Sequence, residues 1–397
     1  MKKFFKFVFV IALAFCLLYA YNAHTNGELV QTIDKLTMVK ETETTVPTTK
    51  SKSTVTLADT LNSALTDEEQ KAFDIIYNGL STHKSSVNIY QNIETNRIFE
   101  LVELVLSQHP EIFWTKGDCT FSNSGRLTFK YAYSYEQAQE KALLIEKKAD
   151  DILRTIASKS SDYEKSLALF DYITMHTTYA YDEAADINNH CEVSTIEGVF
   201  LNGKAVCSGY AKAYQYLLTL CGMDAVTISG YANTPNGSEN HAWTAQVIDN
   251  EIYFSDATWG DGFEKNKDSN SVSHIFFLMN SEELEKTHSC NDNFSAIKST
   301  GENNYFVRQG LYFETYSQPD IRNRIKNAFE NDESSIQLKF ANPEEYKTAK
   351  ENLFDNQGIY FILKTIDPLS KKIKTDTIKY SNDDAHNTIT IFFSEKE

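Results

Sequence analysis

A cysteine set between glycines at the head of an amphipathic stripe constrains this chain most: Gly203-Lys204-Ala205-Val206-Cys207-Ser208-Gly209-Tyr210-Ala211. Tyr210, Tyr214, Leu217, Leu218 and Cys221 follow at helical spacing, and Gly222 stands where a helix ends in a residue of positive φ. The pattern predicts a buried helix with Cys207 in its first turn. There the unpaired N–H groups and the positive end of the helix dipole favour a thiolate, the nucleophilic form of the side chain. Gly203 and Gly209 would let the backbone fold closely around it. Cys221, on the apolar face, reads as structural. Taken alone, Cys207 has the same plain reading, a buried cysteine of an amphipathic helix.

Two further segments change that balance. His241-Ala242-Trp243 enters a run with strand character through Val247, and Ile252-Tyr253-Phe254-Ser255-Asp256-Ala257-Thr258-Trp259 places an acid at the end of a second strand. Asp249-Asn250 supplies turn chemistry between them. A cysteine nucleophile needs a base that carries its proton and later delivers it to a leaving amine. That base needs an acceptor on its other ring nitrogen to fix its tautomer. A lone histidine before a strand is more often structural, and a lone Asp at a strand end is ordinary. Nucleophile on a helix N-terminus, base on one strand and acid on the next is a specific combination.

With these residues in view, the stretches Ala205–Ala211, His241–Trp243 and Asp256–Trp259 resemble the transglutaminase-like superfamily of papain-like cysteine enzymes, in particular its exported bacterial members. The resemblance implies an α+β fold: a helix carrying the cysteine packed on an antiparallel sheet, flanked by an N-terminal helical α/β region and a small C-terminal α+β module. It implies a catalytic triad of Cys207, His241 and Asp256. Trp243 and Trp259 are expected to wall the substrate cleft. The oxyanion would be met by the Cys207 backbone N–H and by Tyr181 or Asn202. Thr244, where relatives often carry Asn, and Gly260-Asp261, where two acids are common, depart from the family pattern and would alter substrate fit.

The rest of the chain sets the context. Lys2, Lys3 and Lys6 precede the apolar run Phe7–Tyr21, which reads as an export signal or membrane anchor over residues 1–23. A polar, Thr-rich stalk is expected over 24–60. An N-terminal accessory α/β region then covers 61–160, the catalytic domain 161–300 and the C-terminal α+β module 301–397. In that module the spacing predicts helices at Asp320–Glu330 and Glu344–Phe354. Strands are predicted at Gln337–Phe340, Tyr360–Leu363, Lys371–Lys379 and Thr388–Phe393. The formal charge of -17 over 397 residues argues against nucleic acid and against docking on anionic lipid through a basic patch. Five cysteines beyond the leader, an odd number, leave at least one without a partner in the chain.

No cofactor is expected. His190-Cys191-Glu192 lacks a second ligand pair at zinc-like spacing, so no metal is assigned either. The calcium dependence of animal transglutaminases is not carried over. The sequence therefore predicts a secreted or surface-anchored cysteine enzyme that forms a thioester with a peptide or wall-protein amide. Water would then make it a protease or amidase, and an amine a crosslinking transglutaminase. The rival reading is a surface binding protein built on a non-catalytic scaffold of the same fold.

Overall fold

The computed structural model describes residues 56–234, 237–261, 272–366 and 378–393. The expected leader, and the expected stalk up to residue 55, lie outside the described residues. No helix among the described residues is long and apolar enough to cross a membrane.

Local capping chemistry starts the N-terminal helices. Thr66, Ser134 and Ser161 each bond the backbone N–H three residues on, while Glu69, Gln137 and Glu164 bond back to the cap. These boxes open the helices Asp67–Ser81, Tyr135–Thr155 and Asp162–His176. Thr56 forms a fourth box and starts a short helix, Leu57–Asn62. The end of the segment expected as stalk is therefore helical, with Leu57 and, just beyond it, Leu61 buried in the core. Strands β1 (Ser86–Asn88), β2 (Thr115–Phe121) and β3 (Arg126–Tyr131) form a sheet in the order β1-β3-β2.

The short strands β4 (Thr178–Tyr179) and β5 (Lys204–Ala205) pair in parallel and lead the chain to Cys207. The helix Cys207–Leu220 then packs on an antiparallel sheet of β6 (Ala225–Thr234), β7 (Gly237–Ile248), β8 (Glu251–Ser255) and β9 (His288–Cys290). The strand order is β8-β7-β6-β9. Polar groups fasten helix to sheet: Thr244 Oγ1 donates to the Ala211 carbonyl at 3.0 Å, and Tyr214 Oη donates to Gln246 Oε1 at 3.2 Å. This is the cysteine helix on an antiparallel sheet of the expected α+β class.

The C-terminal sheet comprises β10 (Tyr312–Phe313), β11 (Ser335–Phe340), β12 (Lys379–Asp383) and β13 (Thr388–Phe392), in the order β10-β11-β13-β12. One hydrophobic core runs continuously from Leu57 to Ile297, so the N-terminal helices and the cysteine helix share it. A second core, from Phe313 to Ile391, belongs to the C-terminal sheet and its helices.

Two expectations here are corrected. Tyr360–Leu363, read as a strand, lies in the helix Gly358–Ile366. A short apolar run has no periodicity to separate the two states, and burial of Ile359, Ile362 and Leu363 at helical spacing decides it. The helix expected over Glu344–Phe354 is α-helical only over Pro343–Lys350 and continues as a wider π-type turn, Glu351–Asp355. Of the strand expected at Lys371–Lys379, residues 371–377 lie outside the described residues and β12 begins at Lys379.

Candidate active site

Cys207 is the first residue of its helix, as its sequence setting predicts. Its approach is fixed from behind: the Val206 N–H donates to the Val193 carbonyl at 2.9 Å, and Tyr179 pairs with Ala205 across β4 and β5. Gly209 is required at this crossing, since a Cβ there would stand 2.4 Å from the Val193 carbonyl oxygen. Cys207 is a partly exposed residue, whereas Val193, Ala205 and Val206 behind it are buried.

His241 lies on β7, opposite Gly230 of β6. Asp256 follows β8 and caps the short helix Ala257–Gly260, its Oδ1 accepting the N–H groups of Thr258 at 2.9 Å and Trp259 at 3.2 Å. Its Oδ2 meets His241 Nε2 at 2.8 Å. With Nε2 committed to the acid, Nδ1 is left free of it, and the nearby Cys207 side chain acts on the same ring, helping to hold its proton. The structure thus brings Cys207, His241 and Asp256 together.

The partners, acting against burial, set the protonation states. The His241 side chain is 9% exposed and that of Asp256 0%. Burial alone would lower the His241 pKa, but the charge and hydrogen bond of Asp256, then those of Cys207, raise it to about 10. Burial likewise pushes Asp256 up, yet His241 and then His288 hold its carboxyl well below the usual carboxylate range. An imidazolium held between a carboxylate and a sulfur is the resting form of a cysteine nucleophile paired with its acid–base partner.

The two tryptophans are placed differently from expectation. Trp243 is fully buried and Trp259 is 7% exposed, so they do not wall an open cleft. They pack beside two imidazoles instead, with ring centroids 6.3 and 5.6 Å from that of His241 and 5.0 and 4.5 Å from that of His288. The reason lies in register: Trp243 is two residues from His241 on the same face of β7, and the glycine at 230 clears room for its ring. Tyr181 is half exposed at the start of the short helix Tyr181–Ala184, its ring 4.6 Å from that of Tyr179. Asn202 is exposed at the end of the turn Gly198–Asn202. Tyr179, to which sequence reasoning assigned no role, is half-buried. Burial raises its phenol above the ordinary value, and the charges of Cys207 and Tyr181 raise it further.

The departures from the family pattern have structural partners. Thr244 holds the cysteine helix through Ala211, and Asp261 accepts from Tyr210 Oη at 2.9 Å. Beside Ser208, the residue after the nucleophile, opens a cavity of about 440 Å³ lined by Val102, Glu103, Asp118, Lys212 and Thr227 among others. Burial lowers the Lys212 ammonium to about 8. The cavity lies between the N-terminal region and the cysteine helix.

A second histidine reaches the acid. His288 of β9 places Nε2 3.2 Å from Asp256 Oδ2, and its side chain is 0% exposed. No motif marks it in the sequence. His241, Asp256 and His288 bring metal-ligating atoms within 4.8 Å of one another. Their nearest atoms are already joined by hydrogen bonds, and the Asp256 carboxylate meets four partners among the described residues. His190 Nδ1 lies 3.4 Å from Glu192 Oε1, with Cys191 buried beside them. Cys119, Cys191, Cys207, Cys221 and Cys290 are all free thiols.

Residues 150–260 match a family model described as the transglutaminase-like superfamily, a span that contains Cys207, His241 and Asp256. Kyphoscoliosis peptidase of Mus musculus is 26% identical over 128 residues, 30% of this chain and 18% of that protein. The Homo sapiens protein of the same name is 26% identical over 110 residues, 26% of this chain and 16% of its own length. The chain therefore spans less than a fifth of these relatives. A solved structure titled as that of a TGase aligns over 48% of this chain and 55% of its own, at 17% identity and a TM-score of 0.29.

Proposed function

From the premise that residues 150–260 form a transglutaminase-like core, we propose that this chain is a cysteine acyl-transfer enzyme acting on peptide or protein amides outside the cytoplasm. The observation that carries the reading is His241 bonded to Asp256 at 2.8 Å, close enough to Cys207 at the head of its helix for that side chain to help hold the imidazole proton. Cys207 Sγ attacks the amide carbonyl carbon, and the C–N bond breaks as His241 gives its proton to the leaving nitrogen. Ammonia or an amine departs and a thioester remains. The now neutral imidazole takes a proton from the second nucleophile, which attacks the thioester and expels the thiolate. Water yields an acid and makes the protein a peptidase or amidase; a lysine amine yields a crosslink. Hydrolysis is the favoured outcome, because a partly exposed nucleophile residue does not by itself keep water away from the thioester.

Two measurements test this. Iodoacetamide at slightly acid pH should alkylate Cys207 ahead of Cys119, Cys191, Cys221 and Cys290, and His241→Ala should remove that preference. Equal, slow labelling of all five would leave only a scaffold of the same fold. Incubation with a glutamine-containing casein and a fluorescent amine then separates the two outcomes: fragments without incorporation mean hydrolysis, incorporation without fragments means transfer.

A further inference from the structure

We propose that His288 is a positioning residue of this site, its neutral imidazole donating Nε2–H to Asp256 Oδ2 and so aiming that oxygen at His241. The inference rests on the Cys207–His241–Asp256 reading and adds a residue that lies outside the segment matched to the family model.

Strand order explains how His288 arrives. β9 pairs with β6 so that His288 stands opposite Ala232 and Cys290 opposite Gly230, while His241 stands opposite Gly230 from the other side. Paired residues share a face of a sheet, so both histidines rise from one face with small residues between them. A Cβ at position 230 would lie 2.1 Å from the Ser289 carbonyl oxygen, so only glycine lets β9 come this close. The His288 ring then fills the space behind the acid, its centroid 5.0 Å from Trp243, 4.5 Å from Trp259 and 5.5 Å from His241.

Its hydrogen bonds fix its tautomer. The acid at Nε2 is ionised and can only accept, so Nε2 carries the proton. Nδ1 is then a lone pair, and the Thr287 hydroxyl 2.8 Å away donates to it. Burial and the charge of His241 favour the neutral ring. The division of labour is physical: one imidazole is charged and exchanges protons with sulfur, the other is neutral and holds the carboxylate. Asp256 is thus gripped by two backbone N–H groups on Oδ1 and two imidazoles on Oδ2. The other titratable groups facing this pair are Cys207, Tyr179 and Glu239 on the nucleophile side, and His386 across the Phe276 ring.

The experiment compares wild type, His288→Phe and His288→Gln by the rate of Cys207 alkylation across pH, with folding followed by near-ultraviolet circular dichroism. Phe keeps the bulk and removes the donor; Gln can place an amide N–H near the position of Nε2. His288→Phe should slow alkylation at neutral pH by about tenfold, the scale of one hydrogen bond to a charged group. With one donor gone from Oδ2, the alkaline limb governed by His241 should also move up. His288→Gln should recover both. A folded Phe variant with the wild-type profile, or a Gln variant no better than Phe, overturns the proposal. Should Phe fail to fold, imidazole nitrogen-15 correlation spectra of the wild-type protein decide: His288 must show a protonated Nε2 and a bare Nδ1 at neutral pH, and an imidazolium or the opposite tautomer overturns it. Failure of the enzyme reading looks different, because wild-type Cys207 would then show no preferential, His241-dependent alkylation.

Discussion

Two buried ion pairs, one in each four-stranded sheet, obey the same electrostatics and serve different ends. On the sheet beneath the cysteine helix, Asp256 faces His241, whose proton the partly exposed residue Cys207 also helps to hold. On the C-terminal sheet, Lys339 of β11 meets Glu283 at 2.7 Å and also donates to the His386 carbonyl at 3.0 Å. Glu283 lies in the helix Ser281–Glu285 that leads into β9, so this pair fastens the C-terminal sheet to the strand that carries His288. Burial lowers the Lys339 ammonium despite its partner, whereas Glu283 stays below its ordinary value because Lys339 and Lys286 outweigh burial. A buried charge must be paired in either place. Chemistry arises only where one partner can pass its proton to a reachable nucleophile, and elsewhere the same arrangement is a fastening.

The sharpest break of that comparison is Asp256→Asn. An amide cannot hold His241 as an imidazolium, and turnover should fall by about 10³- to 10⁴-fold, read as amide hydrolysis or amine incorporation. Lys339→Ala should instead leave Cys207 alkylation unchanged and cost about 3 kcal/mol in urea unfolding, since it takes from Glu283 the more buried of its two lysine partners and from the His386 carbonyl its donor. Replacing both, Lys339→Met with Glu283→Leu, should recover most of that loss. If Lys339→Ala abolished alkylation while the protein stayed folded, the second pair would be part of the site and the comparison would fail.

The pH dependence of stability sharpens the same contrast. The folded His241 pKa, about 10, exceeds its ordinary 6.5, so its favourable pairing is fully present below 6.5 and is lost as pH rises through about 10. Asp256 is depressed, so its contribution is present above 3.8 and is lost as pH falls toward its folded value. Thermal unfolding should therefore weaken at both ends, and Asp256→Asn should flatten the acid limb and shift the alkaline one down. An unchanged pH profile in that variant would contradict the charged pair.

What was legible in the sequence was what depends on neighbours along the chain. The capping boxes at Thr66, Ser134 and Ser161 act over three residues, so helix starts there are written locally. Cys207 at a helix start, and a histidine and an acid on successive strands, are equally local patterns. His288 is 32 residues from Asp256 and gains its role only through the pairing of β9 with β6. The tryptophans show the same limit. Their presence beside His241 and Asp256 was visible, but whether an aromatic faces solvent or core depends on what covers it. Here His288 and Phe276 cover Trp259, with centroids 4.5 and 5.1 Å away. The four-residue apolar run Tyr360–Leu363 failed for another reason, since its burial pattern exists only once the helix packs.

The smallest expected effect is at Gln337, which joins the two cores without any charge. Its Oε1 accepts the His274 N–H at 2.9 Å and its Nε2 donates to the Val272 carbonyl at 3.3 Å, while the His274 ring is tied to Asp171 at 2.8 Å. Gln337→Leu keeps the bulk on β11 and orphans one N–H and one carbonyl. Stability should fall by about 1–2 kcal/mol, below the cost of Lys339→Ala, because hydrogen bonds between neutral groups are cheaper to lose than those to charged ones. The rate of Cys207 alkylation should not move, since Asp256 keeps all four of its partners. Val272 and His274 precede Phe276, whose carbonyl accepts the Asp256 N–H at 2.8 Å. A change in alkylation without loss of folding would therefore mean that the C-terminal sheet sets the acid's position through this segment, and is more than a fastening.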